Sequence, residues 1–395
     1  MTERVETDRW LLLLTLLLCG AGLVMVLSSS QALAVFQHRS PYYYAERQAL
    51  WLGIGLVALF VLRRVDYRRL RPLALPAAAG AGLLMLLALV PPLGVTVNGA
   101  RRWFDLGPLG TFQPSELGKL AFALFVADWL DRRDQRLRSL ETGFLPFVLL
   151  LGAVLAVLML QRDLGTAFVI SCIFVAAYYA GGGRKRYLAL LVLGLGVAFV
   201  LLSVLEPYRA ARLISFRDPF ADRMGAGFQI TQSIFALGSG GVFGVGLGHS
   251  LEKFLWLPEA HTDFIFAIVG AETGLLGTTL ILAGFTAFAV RGYRAAMRAP
   301  DRFGVMLGGA IVSWIAFQAL VNMATVTATL PITGVPLPLI SYGGTAVATT
   351  LAAIGVLLNI AGSASTRRTD ATPDLGWGDR RSPLPGARSR AGVPR

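Results

Sequence analysis

A run of polar side chains directly precedes one of the long apolar stretches of the sequence. Glu259, His261, Thr262 and Asp263 lie within Leu257 to Phe266, and the apolar stretch begins right after Asp263. At the start of a helix, Asp263 could accept hydrogen bonds from free backbone amides as an N-cap residue. It could also act as a general base, because burial raises the pKa of a carboxylate while a helix N-terminus lowers it. The sequence leaves both interpretations open, and a lone histidine does not make a metal site.

A second group of charged residues opens another apolar stretch. Glu116 and Lys119 are three residues apart and share one helix face, where they can form an ion pair. Alternatively the pair faces an outer cavity, where Lys119 could bind a phosphate. Arg102 and Trp103, just upstream in the segment that begins at Asn98, add a cation and an interfacial aromatic ring.

Arginines form a third group. Tyr208 is followed by Arg209, Arg212 and Arg217 in a long segment between apolar stretches. Guanidinium groups bind pyrophosphate in a bidentate manner, so an anionic ligand is one interpretation. The other is that these side chains extend towards lipid phosphates. Arg47 could join the same site or anchor its own helix.

Two further segments can line a site without carrying charge. Pro331 to Gly344, which includes Ser341, holds three prolines that forbid a regular helix. We predict a rigid re-entrant or interfacial loop that lines the cavity. Phe228 to Phe243 is apolar but includes Gln232 and other polar residues. It is too short to span a membrane, so we predict that it lies at the interface or re-enters.

The rest of the chain, which must position these residues, has the composition of a membrane protein. The chain has 395 residues, of which 55% are hydrophobic and 15% charged, with a mean hydropathy of +0.63. We predict an all-α polytopic membrane protein with about ten transmembrane helices and a large outer loop, about 207–263, between the seventh and eighth. The predicted spans are Leu11 to Val35, Ala49 to Leu62, Leu73 to Leu93, Leu117 to Leu130, Phe144 to Leu160, Leu164 to Ala180, Tyr187 to Leu205, Phe264 to Val290, Phe303 to Thr327 and Tyr342 to Ile360.

Basic residues predict the orientation. With the N-terminus inside, cytoplasmic segments hold 25 Lys and Arg residues and outer segments hold 10, as the positive-inside rule requires. We therefore predict cytoplasmic residues 1–9, a membrane domain over 10–362, and a disordered basic cytoplasmic tail over 363–395. The basic residues lie in short loops rather than in one patch, so the net charge of +13 does not indicate nucleic-acid binding.

Several segments together resemble a known family. Asn98 to Trp103, Phe112 to Lys119, Gly225 to Gly248, Leu257 to Phe266 and Gly334 to Gly344 are similar, in this order, to signatures of the SEDS proteins (shape, elongation, division and sporulation), which include FtsW, RodA and SpoVE. The resemblance covers nearly the whole chain before the tail. It implies a peptidoglycan glycosyltransferase that polymerises lipid II at the outer face of the cytoplasmic (inner) membrane.

The resemblance also implies roles for individual residues. Asp263 would be the catalytic base in an inverting transfer that releases undecaprenyl pyrophosphate from the growing glycan. The implied partners are a class B penicillin-binding transpeptidase and other divisome membrane proteins. No protein metal cluster is expected, although a divalent cation, Mg²⁺ or Mn²⁺, could assist the leaving group. We assign substrate binding to Arg47, Arg102, Trp103, Glu116, Lys119, Arg209, Arg212, Gln232, Glu259, His261, Thr262 and Ser341.

Details favour one branch of the family. Gly244 to Ser250 and Pro258 to Asp263 resemble FtsW-like members, which favours septal synthesis in division over RodA-like elongation. Two positions depart from the family pattern: Gln161-Arg162-Asp163 replaces Gln-Pro-Asp, and Ala271 stands where many members have a first Glu before Glu272. A lipid II flippase and a scaffold that recruits a transpeptidase are the alternatives. Broken helices and charged residues near the membrane midplane would favour the flippase.

Overall fold

The computed structural model describes residues 8–97, 99–133, 137, 139–222, 224–225 and 227–370, and it leaves out the side chains at 108, 207, 208 and 364–370. Four features named above fall wholly or partly outside the described part of the chain. They are residues 1–7 of the predicted cytoplasmic N-terminus, Asn98, the Tyr208 side chain and the tail residues 371–395.

Twelve α-helices form most of the described chain, and ten of them coincide with the ten predicted spans. The all-α prediction is therefore confirmed. The helices are α1 Arg9–Phe36, α2 Tyr43–Leu62, α3 Ala74–Leu87, α4 Pro114–Asp131, α5 Leu145–Leu160, α6 Leu164–Ala180, α7 Lys185–Leu205, α8 Pro207–Arg217, α9 Phe228–Ser239, α10 Ile265–Met297, α11 Arg302–Val326 and α12 Gly344–Asp370.

Eight helical segments in the described residues are long and apolar enough to cross a membrane. The two other predicted spans differ from these for physical reasons. The helix α6 has 17 residues, so it is slightly short for a span. The helix α4 carries four charged residues, and most of its side chains are buried inside the bundle. Protein contacts rather than lipid therefore surround α4.

Several helix boundaries depart from the predicted ones, and α12, which ends at Asp370, runs ten residues past its predicted end. Both α2 and α4 extend into flanking polar residues, as predicted for these short apolar runs. The third predicted span, Leu73 to Leu93, is displaced along the chain, because the helical segment begins with a 3-10 helix at Tyr67 and ends with α3 at Leu87. Pro91 and Pro92 follow shortly after that end, and proline cannot continue a helix. Helix α10 is longer than predicted and has a non-helical residue, Gly274, inside it.

Three short strands, which the sequence analysis did not predict, lie between α3 and α4. They are β1 Val95–Val97, β2 Ala100–Asp105 and β3 Thr111–Phe112, in the order β1-β2-β3 with antiparallel pairing. Trp103 pairs with Val95, and Phe104 pairs with Phe112. This small sheet leads directly into α4 and so presents Arg102 and Trp103 beside its first turn.

Helix α11 lies at the centre of the bundle. Most of its side chains are buried, whereas α7, which packs against α6 and α8, is almost entirely exposed. The uncharged segment between α11 and α12 enters this bundle. A Cβ atom placed on Gly22 of α1 would lie 2.3 Å from the carbonyl oxygen of Leu339, so this segment packs directly on the α1 backbone. The contact supports the predicted re-entrant loop.

All the chemistry-bearing segments meet at one end of the bundle. There α1 ends, α2, α4, α6, α10 and α12 begin, and the strands, α8 and α9 connect them. We call this end the site end.

Candidate active site

Asp263 lies on a tight loop just before α10. The N-cap position of α10 is Phe264 rather than Asp263, so the geometry does not favour the capping interpretation. The loop is closed instead by the carbonyl of Glu259, which accepts hydrogen bonds from the backbone amides of Thr262 and Phe264, both at 3.1 Å. Glu259 itself has a φ of +57°, a strained value for a residue other than glycine. Asp263 is half-buried in this loop.

Helix α11 and the uncharged segment between α11 and α12 together hold the opposite side of this loop. Asn322 Nδ2 donates to the carbonyls of Asp263 and Val335, at 2.7 and 2.8 Å. Ser341 Oγ donates to the carbonyl of Thr262 at 2.6 Å, and Tyr342 N donates to the carbonyl of His261 at 2.9 Å. The backbone on both sides of the carboxylate is therefore fixed by hydrogen bonds.

Burial and nearby charges together give the Asp263 carboxyl an unusually high pKa. Burial, first, and the nearby Glu259 and Asp163 carboxylates raise its pKa from 3.8 to about 7, against the opposing effect of Arg102 and Arg212. A general base works best when its pKa is near the pH at which it operates. The pKa of Asp263 therefore suits a general base, and two guanidinium groups lie close enough to influence it.

Arg102 is held beside the site by Asp163, the N-cap residue of α6. Arg102 Nη1 lies 3.1 Å from Asp163 Oδ1, and the guanidinium stacks on the Trp103 ring, with its carbon 4.2 Å from the ring centroid. Gln113 Nε2 donates to the other Asp163 oxygen at 2.9 Å. The Arg102 Nε atom is buried and makes no hydrogen bond within the described residues. That unused donor is available to an anionic ligand.

Arg47 lies on the other side of the same loop. Its guanidinium stacks on the Tyr43 ring at 4.2 Å and hydrogen-bonds the side chain of Tyr342. The Tyr342 ring in turn contacts the His261 ring, with centroids 5.6 Å apart. Tyr44 packs against His261 at 4.9 Å, and burial lowers the pKa of that imidazole. His261 is therefore an aromatic packing partner here.

Glu116 and Lys119 form the ion pair that their spacing allows. Lys119 Nζ lies 2.7 Å from Glu116 Oε2, and both side chains are buried. Lys119 also donates to Gln318 Oε1 at 3.0 Å, and Gln318 Nε2 donates to the carbonyl of Pro336 at 2.9 Å. In this conformation Lys119 supports the backbone opposite Asp263 and does not present its ammonium to a ligand.

The remaining predicted residues are distributed around the loop. Thr262 Oγ1 donates to the Glu259 carboxylate at 2.6 Å, and Gln232 is half-buried on α9. Arg209 Nη1 points back to the carbonyl of Leu202 at the end of α7, at 3.4 Å. Arg212, one turn further along α8, is the member of this arginine group that lowers the pKa of Asp263.

Several residues that contact the site were not among the predicted site residues, and three of them hold a predicted residue in place. Asp163 holds Arg102, Asn322 holds the Asp263 backbone, and Gln318 links Lys119 to the neighbouring segment. Asn322 and Gln318 are polar residues inside an apolar stretch, which is costly in a membrane. That cost is a sequence signal that could have identified them.

The described residues contain no group of three His, Cys, Asp or Glu side chains that could hold a metal ion. Glu259 is engaged by Thr262, and both Asp163 oxygens are engaged by other side chains. A Mg²⁺ ion keeps most of its ligands as water and phosphate oxygens. A divalent cation would therefore fit here only if it arrived with a phosphorylated ligand, with Asp263 as a single protein ligand.

An apolar groove of about 570 Å³ lies elsewhere at the site end. It runs between the end of α1 and the loop before Asp263, and it is lined by Gln31, Ala32, Val35, Phe36, Pro41, Phe254 and Leu255. None of these residues is charged, so the groove is not where acid–base chemistry takes place.

Fold and site together define a polytopic membrane protein that carries a half-buried aspartate, with two arginines nearby, at one end of its bundle. The chain belongs to the FtsW/RodA/SpoVE family, whose model is described as "Cell cycle protein" and matches residues 9–366. It is 40% identical to stage V sporulation protein E of Bacillus subtilis over 91% of this chain and 98% of the relative. It is also 40% identical to a protein named "Probable peptidoglycan glycosyltransferase FtsW" from Geobacter metallireducens, over 91% and 96% of the two chains.

A solved structure supports the same assignment. A chain of a peptidoglycan synthase complex, described as coordinating polymerization and crosslinking, matches with a TM-score of 0.75 and 29% identity. The match covers 91% of this chain and 98% of that one. The family resemblance noted in the sequence is therefore confirmed.

Proposed function

We propose that this protein is a peptidoglycan glycosyltransferase that polymerises lipid II into glycan strands, and that it serves septal synthesis in division. Its membership in the FtsW/RodA/SpoVE family and the names of its relatives support this function. The observation that carries the proposal is the carboxyl of Asp263, which has a pKa of about 7 and is influenced by the guanidinium groups of Arg102 and Arg212.

The proposed reaction uses Asp263 as its base. A sugar hydroxyl of the incoming lipid II attacks the anomeric carbon of the growing glycan, and Asp263 takes the hydroxyl proton as the new C–O bond forms. The bond from the anomeric carbon to undecaprenyl pyrophosphate breaks on the opposite face, so the configuration inverts. Negative charge develops on the leaving pyrophosphate, where cationic donors stabilise it.

Arg102 and Arg212 are the cations best placed to receive this charge. Both already lower the pKa of Asp263, so both lie within electrostatic reach of the reacting atoms. Arg102 is fixed by Asp163 and Trp103 and retains a free Nε donor. Arg47 extends the basic surface beyond His261. A divalent cation bound by the pyrophosphate would add Lewis-acid stabilisation when present.

The membrane arrangement follows from the same proposal. The site end faces outward from the cytoplasmic membrane, and both termini are cytoplasmic, in agreement with the distribution of basic residues. A class B penicillin-binding transpeptidase is the proposed main partner, supported by the synthase complex that the fold resembles. Other divisome membrane proteins are further proposed partners.

A flippase is less well supported by the position of the charges. Asp263, Arg102, Asp163 and Arg212 all belong to segments at the site end rather than to the middle of the spans. A transporter would place its binding groups near the bilayer midplane. The observed arrangement favours chemistry at one membrane face.

The test is polymerisation of purified lipid II by the purified protein with its cognate transpeptidase. Asp263→Asn keeps the size of the side chain and removes its basicity, and Asp105→Asn, an exposed aspartate on β2, is the matched control. We expect polymer from wild type and Asp105→Asn, and at least a 100-fold loss in Asp263→Asn, since general bases contribute about 10²- to 10⁴-fold. Equal polymer from both variants would exclude Asp263 as the base.

A further inference from the structure

A second buried cluster of charged and hydroxyl groups lies beside α10, apart from Asp263. Glu272 Oε1 is 3.3 Å from Lys253 Nζ and 2.8 Å from Ser250 Oγ. Ser28 Oγ of α1 lies 2.7 and 2.6 Å from the two Glu272 oxygens. The side chains of Lys253 and Glu272 are 4% and 0% exposed. A charge buried to this extent is costly unless it is paired, so each partner depends on the other.

The cluster lies where α10 is interrupted. Gly274, two residues after Glu272, has a φ of +66° and separates the first turns of α10 from the rest. A Cβ atom at Gly274 would lie 2.4 Å from backbone atoms of Val242 and Gly244, so the preceding loop is seated in the kink. The amide of Gly246 also donates to the carbonyl of Glu272 at 3.1 Å. The orientation of the first turns of α10 thus depends on contacts outside the helix.

Lys253 is the anchor of the turn that leads to Asp263. In the segment 251–256, Lys253 is the buried residue, whereas Leu251, Phe254 and Trp256 are exposed. Pairing of Lys253 with Glu272 closes a ring of chain that contains Asp263 near its middle. One side of the ring is the anchored turn, and the other is the first part of α10.

We propose that the Lys253–Glu272 pair, tied to α1 through Ser28, is a positioning site that sets the location of Asp263 relative to Arg102. The proposal rests on the proposed function, because it concerns the same reaction. Neither residue contacts the reacting atoms. They act by holding the two ends of the chain segment that carries Asp263. A misplacement of a catalytic group by about 1 Å can lower a rate on the order of 100-fold.

The experiment measures kcat, KM and the pH profile of kcat/KM for lipid II polymerisation in folded, monodisperse protein. Glu272→Gln keeps a hydrogen-bond acceptor but leaves Lys253 without its counter-charge. Lys253→Met removes the ammonium and leaves Glu272 without its counter-charge. Ser313→Ala, which removes a buried hydroxyl bonded to Tyr293, is the control for a general loss of stability. Ser28→Ala loosens the tie to α1 without exposing a charge, and it serves if a charge variant does not fold.

We expect Glu272→Gln and Lys253→Met to lower kcat by about 10- to 100-fold with KM within about threefold of wild type, because the anion-binding arginines stay in place. Their pH profiles should shift to lower pH, since a displaced Asp263 is better hydrated. The double variant should lose less than the product of the two single losses, because neither charge is then left unpaired.

Two outcomes contradict the proposal in distinguishable ways. Folded variants with wild-type kcat and pH profile, and only a lower thermal midpoint, would show that the pair is structural and would overturn the positioning role alone. If the wild type itself forms no polymer, the proposed function fails, and the positioning role fails with it.

Discussion

The acidity of Asp263 gives the most direct test of the site. Glu259 is the charged group that adds most to the rise in its pKa after burial. Glu259→Gln removes the like charge but keeps an oxygen that can accept the hydrogen bond from Thr262. We therefore expect the loop to keep its shape while the pKa of Asp263 falls.

The size of the effect follows from the two pKa values. The pKa of Asp263 is raised from 3.8 to about 7, with burial as the largest cause and Glu259 as the second. A nearby like charge contributes on the order of one pKa unit. With a pKa of about 7, roughly 10% of Asp263 is ionised at pH 6, whereas with a pKa of about 6 roughly 50% is ionised. The variant should retain about fivefold more of its own high-pH activity at pH 6.

The assay is kcat/KM for lipid II polymerisation between pH 5 and pH 9, which reports the ionisation of the free enzyme. A base is active when deprotonated, so activity rises through the pKa, and the inflection of Glu259→Gln should move to lower pH. Glu206→Gln, an exposed carboxylate just after α7, should leave the inflection unchanged. An unchanged or higher inflection in Glu259→Gln would refute the electrostatic reasoning.

Three other predictions concern stability and binding. Because the pKa of Asp263 is 3.8 in the unfolded chain and about 7 in the folded protein, its carboxyl destabilises the fold progressively as the pH rises above 3.8, and fully above about pH 7. Asparagine has no such charge, so the thermal midpoint of Asp263→Asn in detergent should exceed that of wild type by more at pH 8 than at pH 5. Gly22→Ala should destabilise by about 1–3 kcal/mol through overpacking, whereas Gly20→Ala, with open space around it, should not. Arg102→Lys should lower kcat/KM for lipid II about 10-fold, because lysine lacks the guanidinium fork, while Arg101→Lys should have little effect.

Each of these has an outcome that contradicts it. A pH-independent gap in thermal midpoint would mean that Asp263 has an ordinary acidity in the folded protein. Equal destabilisation by the two glycine variants would contradict the close contact between α1 and the segment before α12. Equal losses from the two arginine variants would mean that general surface charge, rather than the group held by Asp163, binds the substrate.

The membrane helices could be predicted because their signal is local. A run of apolar residues long enough to cross the bilayer has few alternatives to a helix. The ion pair of Glu116 and Lys119 was predictable for the same reason, since three residues bring two side chains to one helix face. The end of α3 was missed because Leu89 and Val90 are apolar, although the prolines that follow them prevent a helix.

Contacts between distant segments could not be predicted from one sequence. The bond of Asn322 to the Asp263 carbonyl joins residues 59 positions apart, and Ser28 reaches Glu272 across 244 positions. Such pairs depend on how helices pack, and no local pattern encodes that packing. The strands before α4 were missed because each is only two to six residues long, too short for a clear alternation.

The segment between α11 and α12 bears on the proton gradient across the membrane. A site that handles protons and charged pyrophosphate at one membrane face must not become a leak to the other. Leu337, Leu339 and Ile340 are buried and uncharged, and the backbone of Leu339 and Ile340 packs onto the middle of α1, where Gly22 allows a close approach. We expect this buried apolar segment to block the passage of ions, so that the protein can work on a membrane-borne anion without dissipating the proton gradient.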